Sequence, residues 1–427
     1  MTATLLTGIS ELWTFDPALD DAAHPHGASD DQVVRDAAVV LDGEQVAWTG
    51  PAAAAPDADE RIDLGGRAVL PGWVDSHSHL IFDGDRSAEF EARMAGESYA
   101  AGGIQVTTDA TCAADDARLR ALVESRLAAA AAGGTTCMET KTGYGLTVAD
   151  EARAAQLADR LIADGTLDEA TFLGAHLVPA EYTGRADEYV ELVIGPMLRE
   201  AAPHVRWIDV FCEEGAFDVE QSRRVLEAGR AAGLGLRVHG NQIGESGGVA
   251  LAVELGAASV DHVNHLSDAD VEALAATAAR PVRAERAEGA GVAGRLDVAE
   301  GPTVATVLPA CDLSTRAPLA PARQLLDAGA VVAIASNCNP GTSYTSSMSF
   351  CVGTAVLQMR LTLAEALRAA TRGGALALRR TDVGHLGVGA RADLHVLDTP
   401  HAIDLAYRPG MPLTHQVWRR GRRIAGV

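Results

Sequence analysis

The run AVLPGWVDSHSHL, residues 68–80, decides how the rest of the chain is read. Its first part, AVLPGWVD, has the apolar, β-rich character of a buried strand, and it gives way to Ser76-His77-Ser78-His79. Along an extended chain His77 and His79 point to one side and Ser78 to the other. Two imidazoles on one face can share one cation. An HxH alone is weak evidence, because His24 and His26 form a second one in a polar loop. Its weight depends on what surrounds it.

Seven further β-rich runs follow: TTCMETK, TFLGAH, WIDVFC, LGLRVH, SVDH, TVATVLP and VVAIAS. They alternate with amphipathic stretches such as DDARLRALVESRLAAAAAGG and EQSRRVLEAGRAAG, which carry apolar residues at spacings of three and four and stop at glycine. Eight strands alternating with helices make this an α/β chain and predict a (β/α)8 TIM barrel over residues 67–384. The two ends read differently. Residues 1–66 include AAVVLDGEQVAWTG, where Asp42-Gly43 between alternating apolar positions signals a hairpin, and residues 385–427 include ARADLHVLDTP and HQVWRRGRRIAGV. Together they predict a small β-sandwich domain built from both chain ends. Residues 278–302, rich in Arg, Glu, Gly and Ala, fit no βα unit and are read as a surface insertion before the seventh barrel strand.

A chain of 427 residues exceeds what one small core can use, which agrees with a barrel carrying an added domain. No window approaches the apolar run that a membrane span needs, and the first residues, MTATLLTGISELW, lack the basic and apolar regions of a secretory signal, so a soluble cytoplasmic protein is expected. The net charge of −23 argues against nucleic acid, whose phosphates demand a basic surface. Six cysteines, at positions 112, 137, 212, 311, 338 and 351, form no CxxC pair and read as reduced thiols.

Active sites of (β/α)8 barrels lie where the strands end, so the polar residues that terminate each apolar run carry the chemistry. The fifth strand ends in RVHGNQ and supplies His239, and the sixth ends in VDHVNH and supplies His262, with His265 three residues on. His262 lies nearer the strand end, so His265 is read as structural. His77, His79 and His239 then offer three ligands for a divalent metal, with an open position for the water that such a metal acidifies. The eighth strand should add a carboxylate, and it ends in Asn337. Lys141, the only lysine in the chain, ends the second strand; it serves either as positive potential for an anionic substrate or as the partner of a nearby acid.

PGWVDSHSHL, the fifth- and sixth-strand histidines and the β-rich ends resemble the amidohydrolase superfamily, metal-dependent hydrolases on distorted (β/α)8 barrels. Within it, GDRSAEFEARMAGESYAAGGI, METKTGYGLTVADEA, TFLGAHLVPAEY, WIDVFCEEGAF and NPGTS resemble the imidazolonepropionase family of histidine degradation. The resemblance implies hydrolysis of 4-imidazolone-5-propanoate to N-formimidoyl-L-glutamate with one zinc or iron ion held by His77, His79, His239 and residue 337. It also implies a homodimer, and a substrate site made of Arg86, Tyr144, His176, Gln242, Asn339, Gly341 and Thr342. Arg86 suits the propionate as a bidentate partner, and Tyr144 adds a hydroxyl at that end. His176 and Gln242 suit the planar ring, and the NPGT turn is expected to offer backbone N–H groups. His262, with Gln242 and residue 337, is the expected catalytic group, orienting or deprotonating the water. The fourth strand ends in Phe211-Cys212-Glu213, so no lysine stands there to bridge two metals.

The family pattern T-D-x-N-P-G stands here as Ser336-Asn337-Cys338-Asn339-Pro340-Gly341. An amide oxygen can coordinate a cation, but it is neutral and takes no proton at neutral pH. The expectation is therefore an enzyme impaired at position 337. Its rivals are another cyclic-amide hydrolase or deaminase of the superfamily, and a protein that binds substrate with little turnover.

Overall fold

The computed structural model describes residues 3–20, 33–96, 103–281, 285–286, 296–297 and 300–426. Four strands come first: β1 (Ala3–Trp13), β2 (Val33–Asp42), β3 (Gln45–Pro51) and β4 (Glu60–Pro71). The barrel strands follow as β5 (Trp73–Asp75), β6 (Thr135–Lys141), β7 (Glu169–Ala175), β8 (Trp207–Cys212), β9 (Gly235–Gly240) and β10 (Ser259–His262). After a short antiparallel pair, β11 (Glu285–Arg286) with β12 (Leu296–Asp297), come β13 (Val304–Val307) and β14 (Val332–Ile334). The chain ends on β15 (Leu394–Leu397), β16 (Thr414–Arg419) and β17 (Arg422–Gly426).

Eight parallel strands run in the order β5 to β10, then β13 and β14, as eight βα units require. The second sheet has seven strands in the order β17-β16-β15-β4-β1-β2-β3, so both chain ends contribute to it. The hairpin expected near Asp42-Gly43 is present, with Asp42 paired to Gln45 across Gly43 and Glu44. Apart from the β11–β12 pair, the expected insertion between residues 282 and 299 lies outside the described residues, as do His24 and His26.

The run AVLPGWVD is not one strand. Residues up to Pro71 belong to β4 of the seven-stranded sheet, and Trp73 opens the barrel, so the chain changes sheets at Gly72. The Gly72 N–H is committed to the Asp393 carbonyl at 3.0 Å, which ties the change of direction to the C-terminal strands. A single apolar run thus crosses from one sheet to the other, and periodicity carries no mark of the crossing.

Between β14 and β5 the barrel is joined just beyond the strands. Asn337 N–H donates to the His77 carbonyl (3.0 Å), and His79 N–H donates to the Cys338 carbonyl (2.9 Å). The Asp75 carboxylate reinforces the seam by accepting from the Ser336 N–H (3.0 Å) and hydroxyl (2.5 Å). These bonds set the HxH beside Asn337. The helical segment from Ala369 to Ala377 packs directly on the same two strands. A Cβ on Gly374 would lie 2.3 Å from the Val74 carbonyl oxygen, a backbone atom that cannot step aside alone. Gly374→Ala should therefore cost about 1–3 kcal/mol of stability, read as a lowered urea midpoint; an unchanged midpoint would mean the helix does not sit this close.

The main core lies between the barrel strands and their outer helices, with Phe172, Ile208, Val238, Val260 and Ile334 from the sheet facing residues such as Leu226 and Leu251. All six cysteines are free. Among the described residues no helix is long and apolar enough to cross a membrane.

Candidate active site

The C-terminal ends of the barrel strands surround a pocket lined by His79, Arg86, Tyr144, His176, His239, Gln242, His262, Asn337, Asn339 and Thr342, with Ile104, Leu177 and Phe211 as apolar wall. His77 lies against it, fully buried, its ring centroid 4.5 Å from that of His239. His265 is absent from this lining.

Three imidazole nitrogens converge. His79 Nε2 is 3.3 Å from His77 Nε2 and 3.4 Å from His239 Nε2. Nitrogens bound tetrahedrally at about 2.0–2.1 Å from one zinc lie about 3.3–3.4 Å apart, so these separations suit one shared cation. His262 completes an overlapping group, since ligand atoms of His77, His239 and His262 lie within 4.8 Å of one another. Asn337 Oδ1 is buried without a hydrogen-bond partner. A buried, unpartnered oxygen beside three convergent nitrogens fits a cation, which would satisfy it.

The far sides of two of the histidines, His77 and His239, are fixed by acids that sequence reading passed over. His77 Nδ1 lies 2.7 Å from Asp261 Oδ2, and His239 Nδ1 lies 3.0 Å from Asp209 Oδ1. A carboxylate at Nδ1 holds the proton there and turns the Nε2 lone pair toward the pocket. Burial lowers the pKa of His77, with the Lys141 charge adding to the effect, and burial likewise lowers that of His79. For His262, burial with His239 nearby brings the pKa down to about 3. These three rings are neutral and can act as ligands or bases. Each acid is itself paired with a buried cation, Asp261 with Arg237 Nη2 at 3.1 Å and Asp209 with Lys141 Nζ at 3.1 Å. Against the opposing effect of burial, these neighbours hold both carboxyls below the usual range. Lys141 also meets Glu139 at 2.9 Å and is fully buried, so of its two readings the structural pairing is the one observed.

On the other wall, His176 stacks on His79, with centroids 5.4 Å apart and ring planes 17° from parallel. Its Nδ1 donates to the Gly143 carbonyl at 2.9 Å, which leaves Nε2 as an acceptor. Burial, with His239 nearby as the second cause, lowers its pKa to about 4. Tyr144 is buried, its ring 5.4 Å from that of His176. Arg86 is buried at the pocket edge with its guanidinium paired to Glu89. Gln242 starts a loop held by Glu213, whose Oε2 accepts from the N–H groups of Gln242 (2.7 Å) and Ile243 (3.2 Å).

The NPGT turn is arranged differently from the expectation. Asn339 Oδ1 accepts from the N–H groups of both Gly341 and Thr342 at 2.8 Å, and the Asn339 N–H donates to the Ser343 carbonyl at 2.9 Å. Pro340 has no N–H to give. The turn's own amides are therefore spent within it, and Gly341 is not part of the lining, whereas Asn339 and Thr342 are. Gly341 instead makes room for Arg86, because a Cβ there would lie 2.3 Å from Arg86 Nη1.

Comparison with known proteins agrees with this geometry. The amidohydrolase family model matches residues 68–424. Imidazolonepropionase of Micrococcus luteus is 66% identical over 425 residues, covering 99% of this chain and 100% of that protein. The chain belongs to the imidazolonepropionases of the amidohydrolase family. A second imidazolonepropionase, from Arthrobacter sp. strain FB24, is 60% identical, with 99% of each chain covered. Among solved structures, a variant of atrazine chlorohydrolase from Arthrobacter aurescens TC1, complexed with zinc and atraton, superposes with a TM-score of 0.68 at 18% identity, covering 99% of this chain and 95% of that one. An adenosine deaminase from Xanthomonas campestris with bound zinc gives a TM-score of 0.63 at 18% identity, covering 99% and 93%. At that identity the likeness is one of fold, and it extends over nearly the whole of this imidazolonepropionase-family chain.

Proposed function

We propose that the protein hydrolyses 4-imidazolone-5-propanoate to N-formimidoyl-L-glutamate in histidine degradation, with one zinc or iron ion held by His77, His79, His239 and Asn337. The observation that carries this reading is the convergence of three imidazole nitrogens on the pocket that Arg86, Tyr144, His176 and Gln242 also enter. His77, His79, His239 and Asn337 would hold a divalent ion, which would supply Lewis acidity and make water easier to deprotonate.

The side chains divide the remaining work. Arg86 receives the propionate through charge-assisted hydrogen bonds, with the Tyr144 hydroxyl beside it. His176 Nε2, an acceptor because Nδ1 is engaged, receives a ring N–H, and Gln242 meets the other edge of the ring. Asn339 and Thr342 close that side through their side chains, and Gly341 contributes by giving Arg86 space. His262, neutral and at the pocket wall, takes a proton from the attacking water. The water oxygen joins the carbonyl carbon, the lactam C–N bond breaks, and the departing nitrogen carries a proton away. The product gains one carboxylate.

A second reading, binding with little turnover, rests on Asn337, which supplies no carboxylate to the cage. Mass spectrometry of the protein incubated with 4-imidazolone-5-propanoate separates the two. Accumulating N-formimidoyl-L-glutamate supports hydrolysis, saturable binding without product supports the second reading, and neither binding nor product overturns both. Arg86→Ala should weaken substrate binding about 10- to 100-fold, as the loss of one charged hydrogen-bonded pair implies. Titration calorimetry checks it, and an unchanged affinity would remove Arg86 from the site.

A further inference from the structure

We propose that Glu89 is a positioning residue for substrate recognition: it fixes the Arg86 guanidinium so that one edge alone faces the pocket and receives the substrate carboxylate. This rests on the reading that Arg86 binds that carboxylate. Arg86 occupies the N-cap position of the helix Ser87–Met94, and Glu89 lies in its first turn, three residues on, where helix geometry brings the two side chains together. Arg86 Nε donates to Glu89 Oε2 and Arg86 Nη2 to Glu89 Oε1, each at 2.7 Å. A guanidinium has five N–H groups in a plane, and this pairing uses the Nε–Nη2 edge. The Nη1–Nη2 edge is left, and it can take a second carboxylate in the same two-bond manner.

Two glycines pack closely against the pair. A Cβ on Gly103 would lie 1.8 Å from Glu89 Oε2 and 2.5 Å from Arg86 Nη2, and one on Gly341 would lie 2.3 Å from Arg86 Nη1. Arg93, one turn beyond Glu89 on the same helix, donates to the Gly341 carbonyl at 2.9 Å and ties the turn to the helix. The arginine is thus packed against two backbone segments, with a glutamate on its side edge. Since Glu89 cancels the charge of Arg86, the pocket offers an oriented pair of donors more than a net positive charge, which favours a planar carboxylate over anions in general.

The test uses imidazole propanoate, a stable ring with the same acid tail, and imidazole propanamide, which lacks the charge; their binding is measured by titration calorimetry on the metal-loaded protein. Glu89 is partly exposed, so Glu89→Ala removes no core packing. Positioning predicts that Glu89→Ala weakens imidazole propanoate about tenfold and leaves the propanamide within about twofold, with Glu89→Gln falling between. It also predicts that guanidinium ion, added to Arg86→Ala far below denaturing concentration, restores propanoate binding, and that Arg86→Ala combined with Glu89→Ala loses this rescue. If Arg86→Ala itself leaves propanoate binding unchanged, the reading of Arg86 fails and the role of Glu89 with it. If Arg86→Ala weakens binding while Glu89→Ala leaves it equal or tighter, Glu89 acts only as an opposing charge and the inference alone is overturned.

Discussion

Replacing Asn337 with aspartate should raise both bound metal and turnover, the latter by about 10²–10⁴-fold, the usual contribution of a positioned proton acceptor. Asparagine and aspartate have nearly the same shape, and the backbone of residue 337 is already fixed by its N–H bond to the His77 carbonyl at 3.0 Å and by its left-handed φ of 51°. A short polar side chain is among the few that adopt that conformation readily. The change is therefore one of charge alone. With Asn337 the cage presents imidazole nitrogens and a neutral amide to a divalent cation, and the acids Asp209 and Asp261 are engaged behind His239 and His77. An aspartate would put one negative charge in contact with the ion and offer an acceptor for the water's proton. The same carboxylate is a burden when no ion is present, because it would be buried without a partner. Two measurements follow. Metal content by elemental analysis and kcat/KM should both rise in Asn337→Asp, and after chelation the variant should melt below the unaltered protein, with the order reversed on adding zinc. Equal metal content and equal rates in the two proteins would sink this account of position 337.

Much of this site could be read from the sequence because the barrel strands are buried on both faces, and buried parallel strands read as unbroken apolar runs that end abruptly. TTCMETK, WIDVFC and SVDH coincide with β6, β8 and β10. What the sequence reading missed lay inside those runs. Asp209 in WIDVF, Arg237 in LGLRVH and Asp261 in SVDH are fully buried charged residues within strands, and such charges must be paired. That signal was present, but the partners were not legible: His77 and Asp261 are separated by 184 residues and meet only through barrel closure. The crossing at Gly72 left no trace for a different reason, since a strand of one sheet followed by a strand of another looks like a single longer strand. The turn at NPGT was misjudged where a local rule would have served. An asparagine that accepts from the amides two and three residues ahead is a common turn former, and it consumes the N–H groups that a ligand would otherwise meet.

Lys141→Met is the substitution expected to cost the fold most, about 3–5 kcal/mol, because it leaves two acids buried without their cation. Lys141, Glu139 and Asp209 are all fully buried, and Nζ lies 2.9 Å from Glu139 Oε1 and 3.1 Å from Asp209 Oδ2. Methionine matches the lysine stem in size, so packing is largely kept and the loss is electrostatic. Both acids have further duties. Glu139 accepts from the Ser78 N–H at 3.2 Å and from the Thr171 hydroxyl, while Asp209 accepts from the N–H groups of Val210 (2.7 Å) and His239 (3.1 Å) as well as from the His239 ring. Relieving the stranded charge by protonating Asp209 would weaken its hold on His239, so the loss of stability should come with a loss of metal. The double variant Lys141→Met with Glu139→Gln removes one of the two stranded charges and should recover part of the stability, a coupling that two independent sites would not show. Thermal melting of the four proteins of that cycle, with metal content measured on each, decides the matter. A Lys141→Met protein within about 1 kcal/mol of the parent, far below the usual cost of stranding a buried charge, would mean that water reaches the carboxylates and that their burial does not set the cost.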